Sequence, residues 1–286
     1  MTRRGWWLFT VMCVVWGIPY LMIKIAVGSV SVPVLVFTRT AGGAVVLLPL
    51  AARLGGLRAL CRHWRPLAAF AAAEVIGPWW LLSDAERRLP SAFTGLLIAA
   101  VPIIGVVLAR LTGGAERLGL LRWSGLVLGF AGVAVLAVPS LHGGNGWSLV
   151  EMLLVAVGYA AAPIIAARRL AGVPSLPMTA ACLALAAFVY APAAVATWPR
   201  ELPAAQALGA LAGLVVVCTA LAFVVFFELI REVGVSRAMV FTYLNPVVAV
   251  AAGVVLLGEP LTVSIALSFL LIIVGSLLAA VPRPRS

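Results

Sequence analysis

The sequence predicts an all-α membrane protein in which ten transmembrane helices form two inverted five-helix repeats. Composition indicates a membrane environment, since 64% of the 286 residues are hydrophobic and only 10% are charged, whereas a soluble domain carries about 25% charged residues. The apolar runs are continuous rather than alternating, which favours helices over a closed β-barrel. The third observation is an internal repeat, which predicts the two halves.

The repeat is marked by scarce residue types that recur at one offset. Prolines and charged residues of the first half meet similar residues 144 positions later, and the pairs are Pro19 with Pro163, Lys24 with Arg168, Pro33 with Pro177, Asp84 with Glu228, Arg87 with Arg231 and Pro102 with Pro246. A repeat of this kind determines the architecture and is considered first. We therefore expect one five-helix unit at residues 1–140 and a second, inverted unit at residues 145–286.

Ten segments are long enough to cross a membrane, which takes about 20 apolar residues. The first of them is interpreted as a retained helix because its uncharged run is longer than the apolar region of a signal peptide. Short loops rich in glycine, proline and arginine separate the segments. The predicted spans are residues 5–26, 33–53, 66–84, 89–109, 119–139, 147–167, 176–197, 206–228, 236–257 and 260–281.

Basic residues predict the orientation of the chain. With a cytoplasmic N-terminus, fifteen of the 20 lysines and arginines fall on the cytoplasmic side, and the opposite side holds Lys24, Arg87, Arg88 and Arg200. This asymmetry places both termini in the cytoplasm and explains the net charge of +11 without a nucleic-acid partner. Five helices in each repeat make the second copy enter from the opposite face. Such inverted repeats are a recurrent plan of secondary transporters.

Two charged residues are predicted to lie deep in the bilayer, where a charge costs about 2.5–3.5 kcal/mol on insertion scales. Glu74 is in the middle of the third segment and Arg39 is in the second. Glu74 could bind a proton or a substrate amine, or it could bond to a neighbouring helix as a packing group. Arg39 could bind a substrate carboxylate, snorkel, or pair with Glu74. We favour the ion pair, since an unpaired buried charge is expensive.

The other predicted substrate-binding residues are aromatic or polar and come from segments that are equivalent in the two repeats. They are Trp16, Tyr20, Trp79, Trp80, Tyr159, Phe223, Phe227, Tyr243 and Asn245. For any single aromatic residue packing is the more common role, whereas Asn245 before Pro246 is the stronger candidate because an amide in mid-membrane needs partners. Four prolines are predicted to kink helices and to free backbone carbonyls for a ligand or a gate. They are Pro19, Pro102, Pro163 and Pro246.

Catalytic, nucleotide-binding and metal-binding motifs are absent from the sequence. His63 and His142 fall in loops on opposite sides, and the four cysteines are scattered without a CxxC spacing. We therefore expect no enzymatic activity, no cofactor and no metal site. Without a nucleotide motif, any driving force would have to be a gradient.

Several short motifs stand in a fixed order along the two halves of the chain. They are Val15-Trp16-Gly17 leading to Lys24, then Arg39, Ala92 through Pro102, and Leu244-Asn245-Pro246 followed by Leu257-Gly258-Glu259-Pro260. Together they resemble the drug/metabolite transporter superfamily, specifically its EamA-type ten-helix members, over nearly the whole chain. The resemblance implies export of small metabolites, often amino acids or related compounds, through a cavity between the halves. Gly113-Gly114-Ala115-Glu116 departs from the second-copy motif, so no shared role of Glu116 and Glu259 follows.

The leading interpretation is a secondary transporter in a bacterial cytoplasmic membrane that exports a small metabolite by alternating access, with proton exchange as one source of energy. Its expected partners are a small-molecule substrate, the lipid bilayer and, if transport is coupled, protons. The alternatives are multidrug efflux of amphipathic cations and a non-transporting membrane protein. Monomer and homodimer both remain open, because the GxxxG of Gly125 and Gly129 could pack helices within one chain or between chains.

Overall fold

Long apolar runs of the sequence fold as helices in the computed structural model, which describes residues 2–54, 60, 62–112, 119–142, 146–234, 238, 241–242 and 244–280. All regular structure in this part of the chain is helical. The helices before residue 143 are α1 Arg3–Val15, α2 Pro19–Ala26, α3 Val32–Leu54, α4 Trp64–Ala71, α5 Gly77–Ala85, α6 Ser91–Ile98, α7 Val101–Leu111 and α8 Leu120–His142. Those after residue 145 are α9 Gly146–Arg169, α10 Ser175–Ala196, α11 Ala205–Val215, α12 Ala222–Val233, α13 Asn245–Leu257 and α14 Val263–Ala280.

Seven helical stretches among the described residues are long and apolar enough to cross a membrane. They are Arg3–Ala26, Val32–Arg53, Trp64–Ala85, Ser91–Leu111, Gly146–Arg169, Ser175–Ala196 and Ala205–Val233. Three shorter apolar helices are Trp123–Ala137, Asn245–Leu257 and Val263–Leu278. The protein is thus an integral membrane protein built from helices. Each predicted span overlaps one of these ten stretches, although three of the ten are shorter than a typical crossing.

Two of the long stretches contain a π-helical segment, which the sequence did not predict. One segment is Ala72–Ile76, between α4 and α5, and the other is Val216–Leu221, between α11 and α12. The repeat offset carries the first segment onto the second. A π turn inserts one residue into the helical ladder and is frequent at functional sites. These segments are therefore the first places to look for function.

Three of the four predicted proline kinks coincide with interruptions of a helix. Pro19 begins α2 after α1 has ended, and Pro102 and Pro246 lie in the first turns of α7 and α13. Pro163 differs, because it lies inside the continuous helix α9, and its role as a kink stays a prediction. A membrane helix tolerates proline where neighbouring groups satisfy the freed backbone carbonyl.

The most extensive helix contacts all join a helix from the first half to a helix from the second half. These pairs are α8 with α14, α3 with α10, α5 with α9, α6 with α13, α2 with α11, α1 with α12 and α7 with α9. Fully buried aliphatic side chains fill the space between them, for example Ile23, Leu47, Leu183 and Leu214. The main core therefore lies between the halves rather than within either one.

Glycine lets α8 and α14 approach each other closely. A Cβ atom added at Gly275 would lie 2.7 Å from the carbonyl oxygen of Gly125 and 2.7 Å from Cα of Gly129, well inside van der Waals contact. Close approach of backbones at small residues is the usual basis of GxxxG packing in membranes. The GxxxG of Gly125 and Gly129 is thus used within one chain.

Replacing Gly275 with alanine should lower the free energy of unfolding by about 1–3 kcal/mol, the usual range for an overpacked interior. The added methyl group must push α8 and α14 apart. Thermal or denaturant unfolding of the purified protein in detergent measures this change. Gly209→Ala is the matched control, because no atom lies within 4 Å of its added Cβ. An equal loss of stability in both variants would contradict the packing account.

Candidate functional site

Arg39 lies at the centre of the bundle and is held by both halves of the chain. Its side chain is nearly inaccessible, with a relative exposure of 7%. The guanidinium carbon lies 3.7 Å from the ring centroid of Trp79, and Nε donates a hydrogen bond of 3.1 Å to Oγ1 of Thr219. A desolvated cation over an indole face is attracted by about 2 kcal/mol or more. These two contacts replace part of the hydration that Arg39 loses.

A hydrogen bond of the second π segment orients the Thr219 hydroxyl group toward Arg39. The Thr219 hydroxyl donates to the carbonyl oxygen of Leu214, five residues earlier, at 2.8 Å. Because its proton is used there, its oxygen presents lone pairs to Arg39. Sequence reasoning missed Thr219, since a single threonine in an apolar run has no feature that separates it from ordinary helix residues.

The expected ion pair between Arg39 and Glu74 is wrong. Glu74 lies in the first π segment and Arg39 turns instead toward the second one, where it meets Thr219. Within the part of the chain that the structure describes, the Glu74 carboxylate makes no hydrogen bond and no ion pair. Glu74 is half-buried and interacts electrostatically with Tyr159 and Cys182. Its alternative as a helix-packing group also lacks a bonding partner among the described residues.

Two tyrosines complete a group that we call the central polar cluster: Arg39, Glu74, Trp79, Tyr20 and Tyr159. Tyr20 is buried on α2 and Tyr159 is half-buried on α9, and both interact electrostatically with Arg39. These five residues were predicted from the sequence as substrate-binding groups, and the structure brings them together. They come from four of the long helical stretches, so the cluster depends on how these four pack together.

Trp16, Phe223 and Phe227 form a separate group beside the break in the first span, whereas Trp80 stacks on Tyr190 with ring centroids 5.6 Å apart. Trp16 follows the end of α1, and its ring centroid lies 5.6 Å from that of Phe223 on α12. Phe226 and Phe241 pack on Trp16 at 5.1 and 5.3 Å. Trp16 and Phe223 thus meet each other, but their role as cavity walls stays a prediction.

The remaining predicted residues lie around α13. Asn245 is the first residue of this helix, and its buried Oδ1 has no hydrogen-bond partner in the described part of the chain. An unpartnered buried amide oxygen is costly and is a candidate contact for a ligand donor. Tyr243 lies outside the described residues.

Ion pairs join the halves at two helix ends. Arg88 contacts Asp84 at 2.5 Å and Glu151 of α9 at 2.7 Å, and its hydrogen bonds to them raise its pKa although burial acts to lower it. Arg4 contacts Glu228 of α12 at 2.8 Å. Asp84 and Glu228 are repeat partners, but Asp84 pairs with Arg88 of its own turn, whereas Glu228 pairs with Arg4 of another helix. The contact between the halves at the first of these ends is made by Glu151.

A second group of residues surrounds the turn between α5 and α6, and we call it the turn cluster: Lys24, Glu86, Leu89, Ser91 and Glu259. Glu259 accepts from the Ser91 amide at 2.7 Å, the Ser91 hydroxyl at 2.9 Å and the Ala92 amide at 2.9 Å. Lys24 donates to the carbonyl oxygens of Glu86 at 2.7 Å and Leu89 at 2.8 Å. A carboxylate at a helix N-terminus is favourable. Lys24 therefore holds this turn through two backbone oxygens.

Metal ligands do not cluster in the described ranges, where no three histidine, cysteine, aspartate or glutamate residues lie close enough to hold an ion. The arrangement at the centre is a cation, an acid and phenolic hydroxyls in an apolar surround. Such groups can bind a polar solute or a proton. They provide no activated nucleophile of the kind that covalent catalysis requires.

Comparison with known proteins agrees with a membrane carrier. Inner membrane transporter YedA of Escherichia coli K12 is 26% identical over 262 residues, which cover 87% of this chain and 81% of that protein. Transporter YvbV of Bacillus subtilis 168 is 26% identical over 274 residues, covering 93% and 88%. A solved crystal structure with 21% identity covers 98% of both chains with a TM-score of 0.69, which shows the same fold.

The model of the EamA-like transporter family matches twice along the chain, once at residues 3–138 and again at residues 146–281. The two matches leave out little more than the short connection between them and the chain ends. They confirm the resemblance seen in the sequence motifs. The chain therefore belongs to the EamA-like transporter family.

Proposed function

We propose that this protein is a secondary transporter whose two inverted five-helix halves, residues 1–140 and 145–286, expose the central polar cluster to each side of the membrane in turn. The proposal includes ten crossings, with the three shorter apolar helices counted as spans. Inverted halves around a midplane site are a recurrent arrangement in secondary transporters. Substrate and coupling-ion sites in such folds lie near the middle of the bilayer.

The pattern of helix contacts supports the inverted repeat. When each helix is exchanged for its repeat equivalent, the contact of α1 with α12 becomes the contact of α9 with α5, and the contact of α2 with α11 becomes the contact of α9 with α4; all four contacts are present. The contacts of α3 with α10 and of α8 with α14 map onto themselves. A two-fold axis between the halves would produce this pattern. The matching π segments at Ala72–Ile76 and Val216–Leu221 support it as well.

The proposed substrate class rests on one observation, which is that Arg39 and Glu74 do not pair with each other. Arg39 uses only Nε in a hydrogen bond among the described residues, and its two terminal nitrogens are free to bind a carboxylate in a bidentate manner. Glu74 has no partner there either. A solute with a carboxylate and an amine would satisfy both groups. The proposed substrate is therefore a zwitterionic metabolite, such as an amino acid or a related compound.

One observation favours a second candidate, efflux of amphipathic cations. Arg39 already has Trp79 and Thr219 as partners, whereas Glu74 has none in the described part of the chain. A lone acid in an apolar site attracts organic cations. In this reading Arg39 is structural and Glu74 alone selects the substrate.

The proposed location is the bacterial cytoplasmic membrane with both termini in the cytoplasm, and the proposed direction is export. The name of the YedA relative includes the inner membrane, and the distribution of basic residues predicts the orientation. The turn cluster then lies on the outer side, together with Arg88 and Glu151. Arg4 and Glu228 lie on the cytoplasmic side. Proton exchange is the proposed source of energy, with Glu74 as one protonatable group.

Ten crossings place both chain ends on the same face of the membrane, whereas seven crossings would separate them. Tags at the N-terminus and the C-terminus should both be protected in sealed spheroplasts and become accessible after permeabilisation. A tag at Ser29, in the exposed turn after α2, should be accessible without permeabilisation. One protected end and one accessible end would overturn the ten-helix arrangement.

Reconstituted protein should accumulate one or more zwitterionic metabolites in proteoliposomes, faster with an imposed pH gradient than without it. Uptake of a labelled amino-acid panel and of a lipophilic-cation panel separates the two candidate functions. Transport of cations alone would favour efflux of amphipathic cations. No transport of any solute, with the protein folded and inserted, would contradict both.

Arg39→Lys should weaken binding of a zwitterionic substrate by about tenfold, or about 1.4 kcal/mol, because lysine keeps the charge and loses the bidentate geometry. Glu74→Gln should weaken the binding of substrates that carry an amine and leave the binding of substrates without an amine unchanged. Competition uptake at several substrate concentrations measures both effects. Glu201→Gln, in an exposed loop, is the control. A cation transporter would instead lose activity in Glu74→Gln and keep it in Arg39→Lys.

A further inference from the structure

Glu86 is a buried acid that the central site does not use. It follows the end of α5, outside the spanning segment Trp64–Ala85, and its relative exposure is 0%. Neither carboxylate oxygen has a hydrogen-bond partner in the described part of the chain. A buried ionised carboxylate without partners is strongly unfavourable, and such a group takes up a proton instead.

The surroundings of Glu86 come from both halves of the chain. Lys24 and Tyr20 approach from α2, and Glu259 approaches from the segment after α13. Lys24 directs its hydrogen bonds to backbone oxygens at Glu86 and Leu89 rather than to the Glu86 carboxylate. Glu259 is bound to the start of α6. The nearby charges are thus one cation occupied elsewhere and one acid, which together do not neutralise an ionised Glu86.

We propose that Glu86 is a proton-binding site of the outer gate, which holds a proton while the turn cluster is packed as in this structure and releases it when the cluster opens. The inference rests on the proposed alternating-access function and adds a second protonatable group to it. The step is a simple acid dissociation, in which the O–H bond of the Glu86 carboxyl breaks and the proton passes to water on the outer side. The ligand of this site is a single proton.

The direction of the pH effect follows from burial. Desolvation raises the pKa of Glu86 well above its ordinary value; Glu259 raises it further and Lys24 opposes the rise. An exposed glutamate has a pKa of about 4.3, and the open gate would return Glu86 toward this value. The packed cluster is therefore most stable below that pH and becomes less stable as the pH rises through the raised pKa. Low external pH should close the outer gate and high pH should open it.

Infrared spectroscopy tests whether Glu86 carries a proton. At neutral pH the purified protein should show the carbonyl stretch of a buried protonated carboxyl group, and Glu86→Gln should remove the part of this band that Glu86 contributes. Glu201→Gln should leave the band unchanged. An unaltered band in Glu86→Gln would mean that the acid is ionised, which would overturn the proposal.

Spin labels test the link between the proton and the gate. Cysteines at Ser29 and Leu261 place exposed labels beside the turn cluster, one from each half, in a variant that lacks the native cysteines. The distance between the labels should lengthen as the pH rises in the parent and stay constant in Glu86→Gln. Glu86→Asp keeps a carboxyl group and should keep the response. A constant distance in the parent, or a full response in Glu86→Gln, would overturn the proposal.

These two measurements need no substrate. The infrared band and the label distances can therefore contradict the role of Glu86 even if transport is demonstrated. They can also support that role even if the transported solute is unknown. If the protein transports a solute but lacks the infrared band of Glu86, the proton-binding role of Glu86 is contradicted and the proposed function is not. Loss of transport with an intact signal and an intact pH response would remove the proposed function and leave Glu86 as a pH-sensitive contact.

Discussion

The constraint on which this structure depends is the cost of a polar group in the bilayer core. Lipid supplies no hydrogen bonds, so each backbone or side-chain polar group must find a partner within the protein. Arg39 shows how the fold meets this demand. A π segment in one half orients Thr219, an indole from the other half faces the guanidinium, and the cation is held without a carboxylate partner in the described residues.

The two halves match the same family model, but the residues at their centre differ. Both halves carry a π segment, and the repeat offset superimposes the two in sequence. The position equivalent to Glu74 is Cys218, and the position equivalent to Arg39 is Leu183. One half therefore supplies both charges of the central polar cluster, and the other half supplies hydrogen-bonding and aromatic surfaces. An asymmetric site of this kind can orient an asymmetric solute.

Properties that repeat along the chain could be predicted from the sequence. The helical segments, the doubled family match and the helix interruptions at Pro19, Pro102 and Pro246 follow from hydropathy, from the internal repeat and from residues with a strong backbone effect. The number of ten crossings stays a prediction. The central polar cluster was predicted because charges are rare in apolar segments and Arg39 and Glu74 are conspicuous there. Their partners were not predicted, since the partner of a buried charge depends on how the helices rotate about their own axes.

Several other features of the structure were also not predicted from the sequence. The π segments contain no proline or glycine that would reveal them, and Pro163, which has the stronger signal, leaves its helix continuous. Glu259 belonged to a recognised motif, but its contact with Ser91 joins positions 168 residues apart. Glu86 was an ordinary loop residue in the sequence. Its isolation becomes visible only when the surrounding turn is seen to close over it.

The dominance of contacts between the halves has a consequence for biogenesis. The helices of the first half leave the ribosome first, yet their most extensive partners are all made later. Until then α3 and α8 must remain in lipid with their packing faces uncovered, stabilised only by insertion. The packed core thus forms late and cooperatively, when the last helices to be synthesised pack against the first ones. A chain truncated after residue 140 would be inserted and still lack nearly all of its native core.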